Sequence, residues 1–262
     1  MFESLFDLPL LMVGIAIIVT LCLFAAVGLM LVRRLLLPRL TVHSADSDFT
    51  GAMLQSVMVF YGLAVALIAV SVWQTYSDVS KVVSGEATAV ATLYRDASGY
   101  PDSVRPTLQT ELRDYTRQII YEAWPAQRRQ EVPQAGVSLM DNFQTTLFSF
   151  APTTESQKLL HAETLRAYNH VIQARRLRLD AVNTGLPGVM WAVIVLGAVI
   201  GLSASFFFRV QDVRLHLIEV LLLAIFIGLI IFMILALDRP FRGDLGIPPD
   251  SYQLIYDQLM KP

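Results

Sequence analysis

The sequence is short of charged residues and has almost no cysteine. Asp, Glu, Lys and Arg make up 16 % of its 262 residues, whereas a soluble domain has roughly 25 %. Cys22 is the single cysteine, so the chain can close no internal disulfide. The formal net charge is only −2 and the basic residues form no long run, which argues against nucleic acid as a partner. The shortage of charge points instead to segments that lie in a lipid bilayer.

Catalytic motifs are missing as well. The histidines are scattered, and none lies in an HExxH pattern or beside cysteine ligands: His43, His161, His170 and His216. The sequence has no GxSxG nucleophile elbow and no glycine-rich loop for phosphate. We therefore expect no catalytic residues, no metal, no cofactor and no enzymatic activity.

Four long apolar runs predict four membrane-spanning helices. Hydrophobic residues make up 55 % of the sequence, and they concentrate at residues 8–32, within 49–77, at about 189–208 and at about 217–237. Each run approaches the roughly 20 residues that a spanning helix needs. No small-residue cleavage site follows the first run, so we expect it to be retained as a span. Trp73 and Tyr76 suit the membrane–water interface at the end of the second span.

Residues 78–180 are rich in charged side chains, and their apolar residues recur at helical spacing. No proline separates them from the second span, which is predicted to continue as an amphipathic helix to about Ala97. Three more helices are predicted at 106–124, at 138–150 and after a cap at Thr153–Thr154, and Pro125 is expected to end the first of these three. Residues expected to face inward are Val79, Val83, Ala87, Val90 and Tyr94; Leu108, Leu112, Tyr115 and Ile119; and Leu159, Ala162, Leu165, Asn169, Ile172 and Leu179.

Together these segments predict an all-α, multi-pass membrane protein with four transmembrane helices and a helical, four-helix-like domain between spans two and three. We expect a first transmembrane hairpin at 1–77, the soluble helical domain at 78–180 and a second hairpin at 181–238. The remaining residues, 239–262, form a Pro- and Gly-rich C-terminal tail. A short amphipathic helix on Leu254, Ile255 and Leu259 is predicted within the tail.

Two spans carry small residues on one face. In the second span this face consists of Gln55, Val59, Gly62, Ala66, Ala69 and Trp73. Such a face permits close helix packing, or it lines the central pathway of an oligomer, where an apolar neck gates by dewetting. The third span has Gly197 and Gly201 in a GxxxG pattern with Ser205 one turn further, which predicts a helix–helix interface within the chain or between copies.

Ionisable residues form two further candidate sites. His216 and Glu219 are three residues apart at the start of the fourth span and are predicted to share a face, either on an ion path or at the interface. In the domain, Glu86 lies among small residues and is expected to be buried and paired with an arginine. The residues considered for such ion pairs are Glu86, Arg95, Arg175, Arg176 and Arg178. The arginines near residue 180 would also suit a vestibule that collects anions.

The arginines favour one orientation in the cell (inner) membrane. The loop at 33–48 holds three arginines and the loop at 209–214 holds two, and both loops lie on the same side of the membrane. The positive-inside rule places these loops in the cytoplasm and the helical domain outside it. Lys81 and the arginines near residue 180 are basic residues on the domain side and argue for the opposite orientation.

Several motifs resemble a bacterial family. They are Tyr61-Gly62, Glu86-Ala87, the run Leu93-Tyr94-Arg95-Asp96-Ala97, Glu122-x-Trp124-Pro125, Leu186-Pro187, Trp191 and Leu237-Asp238-x-Pro240-Phe241-x-Gly243. These motifs extend over nearly the whole chain, which on this ground resembles the bestrophin-like family of bacterial membrane proteins.

This resemblance implies a relation to bestrophins, which are pentameric anion channels with four spans and a helical domain between the second and third. It implies a homo-oligomer in the bilayer that conducts small anions, with the second span at the pore. Bestrophins keep the intervening domain in the cytoplasm, opposite to the orientation that the arginines favour. The alternative, from a different class, is a membrane sensor or scaffold whose helical domain binds a ligand or partner protein.

Overall fold

The computed structural model describes residues 9–39, 44–208 and 210–261, with the backbone alone for 44–50. The α-helices in these ranges are α1 (Leu10–Leu31), α2 (Ser44–Ala97), α3 (Arg105–Gln118), α4 (Trp124–Arg128), α5 (Ala135–Ser149), α6 (Glu155–Ala181), α7 (Gly188–Ser205), α8 (Val213–Asp238) and α9 (Asp250–Ile255). Single π-helical turns lie at Val32–Leu36, Ile119–Ala123 and Tyr256–Met260, and a 3₁₀ turn at Leu37–Arg39. The predicted all-α class is confirmed.

Four helices are long and apolar enough to cross a membrane: α1, α2, α7 and α8. The helices α1, α7 and α8 coincide with their predicted apolar runs to within a few residues, and α2 contains the second run whole. The helix α2 contains 54 residues without a break, which at about 1.5 Å per residue makes it roughly 80 Å long. The prediction that the second span continues as one helix to Ala97 is therefore confirmed.

The chain divides into two compact units. The first, which we call the membrane unit, contains the residues up to Gln74 together with Gly185–Asp238. In it α1 packs along α8, and small residues let the helices approach: an added Cβ at Gly14 would meet the Phe232 ring at 3.0 Å, and one at Gly228 would meet Ile18 at 3.1 Å. This close approach is how helices associate where lipid provides no hydrophobic driving force.

The second unit, which we call the domain unit, contains Thr75–Thr184 and Arg239–Pro262. Its core is apolar and fully enclosed, with side chains from α2, α3, α5 and α6 and from the C-terminal tail. The faces predicted for the soluble half of α2 and for α3 are confirmed, since every residue named for them is buried. The tail adds Phe241, Ile247, Tyr252 and Met260 to the same core.

Pro125 does not end its helix, contrary to the prediction. The chain passes from α3 through the π-helical turn at Ile119–Ala123 into α4, where Pro125 lies in the first turn. The π-helical turn directly before the proline interrupts the regular i to i−4 pattern there, and Pro125 follows it without ending the helical course.

The predicted inner face of α6 is confirmed only in part: Leu165 and Ile172 are half-buried and pack against the core, but three of the six named residues are exposed. Leu159 is 74 % exposed, and Ala162 and Asn169 are exposed as well. The fully buried residues are Thr164, Tyr168, Val171, Ala174, Arg178 and Ala181. The error has a physical cause: three of these six residues are polar, so an apolar period could not identify them. The predicted cap is confirmed, because Thr154 forms a capping box with Gln157.

The apolar face predicted for the terminal helix is also confirmed only in part. Leu254 is exposed, whereas Ile255 and Leu259 are half-buried and pack against the core. Tyr252 and Met260 are the residues that anchor this segment in the core.

Candidate functional site

The membrane half of α2 has three faces with different surroundings. One face contacts the chain's own helices through Met58, Tyr61, Val65, Ile68 and Val72. A second face exposes large apolar side chains, namely Phe60, Leu63, Leu67 and Val70. The third is the small-residue face of the sequence analysis: Gln55, Val59, Gly62, Ala66 and Trp73 are exposed, and Ala69 is half-buried.

No other described part of the chain packs closely against the middle of the small-residue face. A Cβ added at Gly62 would meet nothing within 4 Å. Only 11 % of the most apolar 18-residue segment of α2 is buried, compared with 33 % of the corresponding segments of α7 and α8. Gly62 and Ala66 therefore do not serve close packing among the described residues, whereas Ala69 packs against the core of the membrane unit.

The GxxxG pattern of α7 does serve such packing, and its partner is α2 of the same chain. A Cβ at Gly197 would overlap the Tyr61 ring, and one at Gly201 would lie 2.6 Å from the Met58 sulfur. The Tyr61 hydroxyl crosses to α7 and donates to the carbonyl oxygen of Ile194 at 2.8 Å. Ser205 is buried further along, where its hydroxyl donates to Leu202 of its own helix.

His216 and Glu219 do not share a surface. The His216 ring is buried, and its Nε2 donates to the carbonyl oxygen of Ser205 at 3.1 Å. Glu219 is exposed on another side of α8. Positions three residues apart are separated by about 60° around a helix. Here that angle is enough to bury one side chain and expose the other.

The domain unit encloses one acidic side chain completely, that of Glu86, among its described residues. Its carboxylate accepts from Arg178 Nε at 2.7 Å and Nη2 at 3.2 Å, and from the Tyr115 hydroxyl at 2.8 Å. Glu86 is 0 % exposed and Arg178 is 1 % exposed. The arginine fork thus binds both carboxylate oxygens, the geometry in which a buried charge pair is best satisfied.

Aromatic rings enclose this ion pair. The guanidinium carbon of Arg178 lies 5.9 Å from the ring centroids of both Trp124 and Tyr252. Trp124 also donates from Nε1 to the carbonyl oxygen of Ile247 at 3.0 Å, so the tail is bonded to the same cluster. We call Glu86, Arg178, Tyr115, Trp124 and Tyr252 the buried ion-pair cluster.

Burial and charge shift the ionisation of this cluster. Burial alone would lower the pKa of Arg178, but the Glu86 carboxylate raises it above the ordinary arginine value. Burial, followed by the charge of Glu86, raises the pKa of Tyr115 and of Tyr252 well above the ordinary tyrosine value. The arginine therefore stays charged and both tyrosines stay neutral, which is a structural arrangement with no proton to exchange near pH 7.

The other arginines considered for pairing lie elsewhere. Arg95 and Arg176 are exposed and Arg175 is half-buried, and among the described residues none of them forms an ion pair with Glu86. Sequence reasoning missed Tyr252, which lies 166 positions after Glu86 and carries no local signal. It also missed the role of Trp124, although the Glu122-x-Trp124-Pro125 motif singled that residue out.

A further residue missed as a site is Asp238, at the end of α8 in the membrane unit. It is buried, and its carboxylate accepts from the backbone N–H of Leu186 at 2.6 Å and from Trp191 Nε1 at 3.4 Å. These contacts join the end of α8 to the start of α7. The Leu-Asp-x-Pro-Phe motif that contains Asp238 was the signal available.

Within the described residues, no three or more His, Cys, Asp or Glu side chains gather in a way that could hold a metal ion. Among the described residues, Gly62 and Ala66 in the middle of the small-residue face of α2 are exposed, and a Cβ added at Gly62 would contact nothing.

Comparisons with known proteins agree with this architecture. A family model described as the bestrophin-like domain matches residues 19–252. A crystal structure of a bacterial bestrophin homolog from Klebsiella pneumoniae, which carries a point mutation, matches with a TM-score of 0.62 and 11 % identity. The match covers 94 % of this chain and 97 % of that one, and at this identity it concerns the fold. None of the curated proteins searched matches the chain. The chain belongs to the bestrophin-like family and is a multi-pass membrane protein.

Proposed function

We propose that the chain forms a homo-oligomeric channel for small anions in which the small-residue face of α2 lines the pathway. The observation that carries the proposal is that this face lies open between a face bonded to α7 and a face of large apolar side chains. The large side chains, such as Phe60 and Leu67, suit contact with lipid tails. Gln55, Gly62 and Ala66 offer lipid little contact area but suit a narrow, uncharged passage.

The assembly and the anion rest on different supports. An open small-residue face is the kind of surface on which a second copy of the same helix packs closely, which supports a symmetric oligomer. The inference that the conducted ion is an anion is based on membership of the bestrophin-like family and on the resemblance to bestrophins. Residues 51–77 contain no acidic residue that would repel an anion, since the first charge after them is Asp78.

Liposome flux with matched tryptophan variants tests the proposal. Ala66→Trp places a large ring on the small-residue face, whereas Leu67→Trp places the same ring on the neighbouring large-residue face. We expect halide efflux from vesicles with the purified chain, a reduction of about tenfold or more for Ala66→Trp and less than about twofold for Leu67→Trp. Confirmed oligomers that give no flux above empty vesicles would refute the channel.

The sensor or scaffold is supported by a different observation, the unbroken course of α2 from the membrane half to Glu86. A displacement at one end of a continuous helix reaches the other end. In that case the unaltered chain would conduct no ions, and Ala66→Trp would impair assembly only. Affinity capture would return a partner protein. Capture that returns only further copies of this chain counts against it.

We also propose that the arginine-containing loops face the cytoplasm and that the helical domain lies outside. Arg33, Arg34 and Arg39 directly follow the first span, which usually dominates orientation. Alkaline phosphatase fused after residue 261 is expected to be active in a bacterial host and green fluorescent protein at the same place to be dark. The reverse pattern would place the domain in the cytoplasm, as in bestrophins.

A further inference from the structure

A cavity in the membrane unit combines two arginines with an apolar wall. It has a volume of about 270 Å³ and lies where α1 ends and α8 begins, lined by Leu29, Met30, Arg33, Arg34, Val213 and Leu217. Arg33 and Arg34 are consecutive residues in the π-helical turn that follows α1, and both reach this cavity. The position is the end of an apolar span, where lipid headgroups meet lipid tails.

Arg33 is held in place but is only partly satisfied. Its Nη2 donates to the carbonyl oxygen of Val210 at 2.5 Å, which fixes the guanidinium against the chain before α8. Its Nη1 is buried and has no hydrogen-bond partner within the described part of the chain. A buried donor without a partner costs roughly 1–3 kcal/mol, and an acceptor from outside the chain would remove that cost.

The acidic residue at the start of α8 forms no described ion pair with these arginines. The Asp212 carboxylate accepts from the backbone N–H groups of Arg214 and Leu215, at 2.8 and 3.4 Å, and so caps its own helix. Among the described residues neither Arg33 nor Arg34 forms an ion pair. Two positive charges therefore line a cavity whose described lining contains no acidic residue.

We propose that this cavity binds the phosphate of an anionic phospholipid. Arginine forks match phosphate oxygens in pairs, and basic pockets between membrane helices are suited to anionic headgroups. The apolar wall of Leu29, Met30, Val213 and Leu217 distinguishes a lipid from a free phosphate ion. The cavity volume of about 270 Å³ is far above the roughly 10–15 Å³ that is needed to hold one water molecule, so there is room for a glycerol backbone beside the phosphate.

Native mass spectrometry of the full chain in detergent tests the proposal with three probes: palmitoyl-oleoyl phosphatidylglycerol, the zwitterionic phosphatidylcholine with the same acyl chains, and inorganic phosphate. We expect phosphatidylglycerol to bind at least about tenfold more tightly than phosphatidylcholine. Arg34→Gln is expected to weaken the binding of phosphatidylglycerol roughly fivefold. Adding Arg33→Gln to this variant is expected to weaken it further by a similar factor. Arg39→Gln removes the same charge from the same loop, but Arg39 lies outside the cavity. The affinity of this variant for phosphatidylglycerol should stay within about twofold of that of the unaltered chain.

Three results would overturn the proposal. Equal affinity for the two lipids would show that the headgroup is not recognised. An equal loss in Arg34→Gln and Arg39→Gln would mean that general surface charge, not the cavity, attracts the lipid. Full displacement of phosphatidylglycerol by millimolar inorganic phosphate would identify a free anion as the ligand. The single variant Arg34→Gln keeps the test valid if the double variant fails to fold, because Arg34 is exposed and makes no described hydrogen bond.

Discussion

The membrane unit and the domain unit place their polar groups differently. In the domain unit a fully buried ion pair, Glu86 with Arg178, joins α2 to α6 inside an apolar core. In the membrane unit glycines join two helices instead. Gly197 and Gly201 allow α2 and α7 to approach each other closely, and Tyr61 and Met58 of α2 pack against the two glycines. The two halves of α2 thus make their contacts by different physical means.

The difference follows from the surroundings of each half. In water, burial of apolar side chains drives the helices together, and a buried ion pair adds mainly a requirement for one arrangement. In lipid that driving force is absent, so the helices depend on close van der Waals contact and on hydrogen bonds such as that from Tyr61 to Ile194. Damage to a charge should therefore be most costly in the domain unit, and added volume most costly in the membrane unit.

The largest expected effect is that of Glu86→Gln. The substitution keeps the size of the side chain but leaves the Arg178 charge buried without a counter-ion, which costs about 3–5 kcal/mol. Unfolding of the full chain in detergent, followed by tryptophan fluorescence, measures the change, since Trp124 lies against Arg178. The loss should appear in the transition that exposes Trp124.

Two further variants show whether the charge pair is the cause. Arg95→Gln removes a charge from the exposed side of α2 and should change stability by less than about 0.5 kcal/mol. The double variant Glu86→Gln with Arg178→Met removes both charges and should recover part of the loss. A Glu86→Gln variant as stable as Arg95→Gln would mean that the pair contributes little.

Sequence reasoning performed differently along α2 and along α6. The faces of α2 and α3 in the domain were predictable because their inward residues are nearly all apolar and recur at helical spacing. The inner face of α6 was not, because Thr164 and Arg178 are buried by virtue of specific partners. The expectation that Glu86 pairs with an arginine came from its small neighbours, but the choice of Arg178 depends on the helix rotation, which the apolar pattern misplaced.

A medium effect is expected from Gly197→Ala in the membrane unit. The added methyl group overlaps the Tyr61 ring, so either the ring or α7 must move. Overpacking of this kind costs about 1–3 kcal/mol. The thermal midpoint in detergent should fall, and Tyr61→Leu in the same background should restore part of it by removing the ring.

The control for this prediction is Leu196→Ala, one position earlier on α7. Leu196 is exposed on the outside of the helix, so its truncation leaves the α2–α7 contact intact. We expect a change of less than about 0.5 kcal/mol. If both variants lower the midpoint equally, the loss reflects the helix itself and the comparison between the two units fails.

The smallest effect is a dependence on alkaline pH, which should belong to the domain unit. Tyr115 and Tyr252 have a raised pKa in the folded chain because of burial and the Glu86 carboxylate, whereas an unfolded tyrosine titrates near about 10. A raised pKa gives stability that is complete below the unfolded value and is lost as pH rises towards the folded one. The unfolding midpoint should therefore fall between about pH 9 and pH 11.

Phenylalanine variants assign this fall to the buried ion-pair cluster. Tyr115→Phe cannot ionise, so its midpoint should decline less steeply with pH, although it starts lower because Glu86 loses a donor at 2.8 Å. Tyr121→Phe alters an exposed tyrosine at the end of the same helical segment and should keep the slope of the unaltered chain. Equal slopes in all three proteins would show that the cluster does not set the alkaline limit, and that the contrast between the two units lies in packing alone.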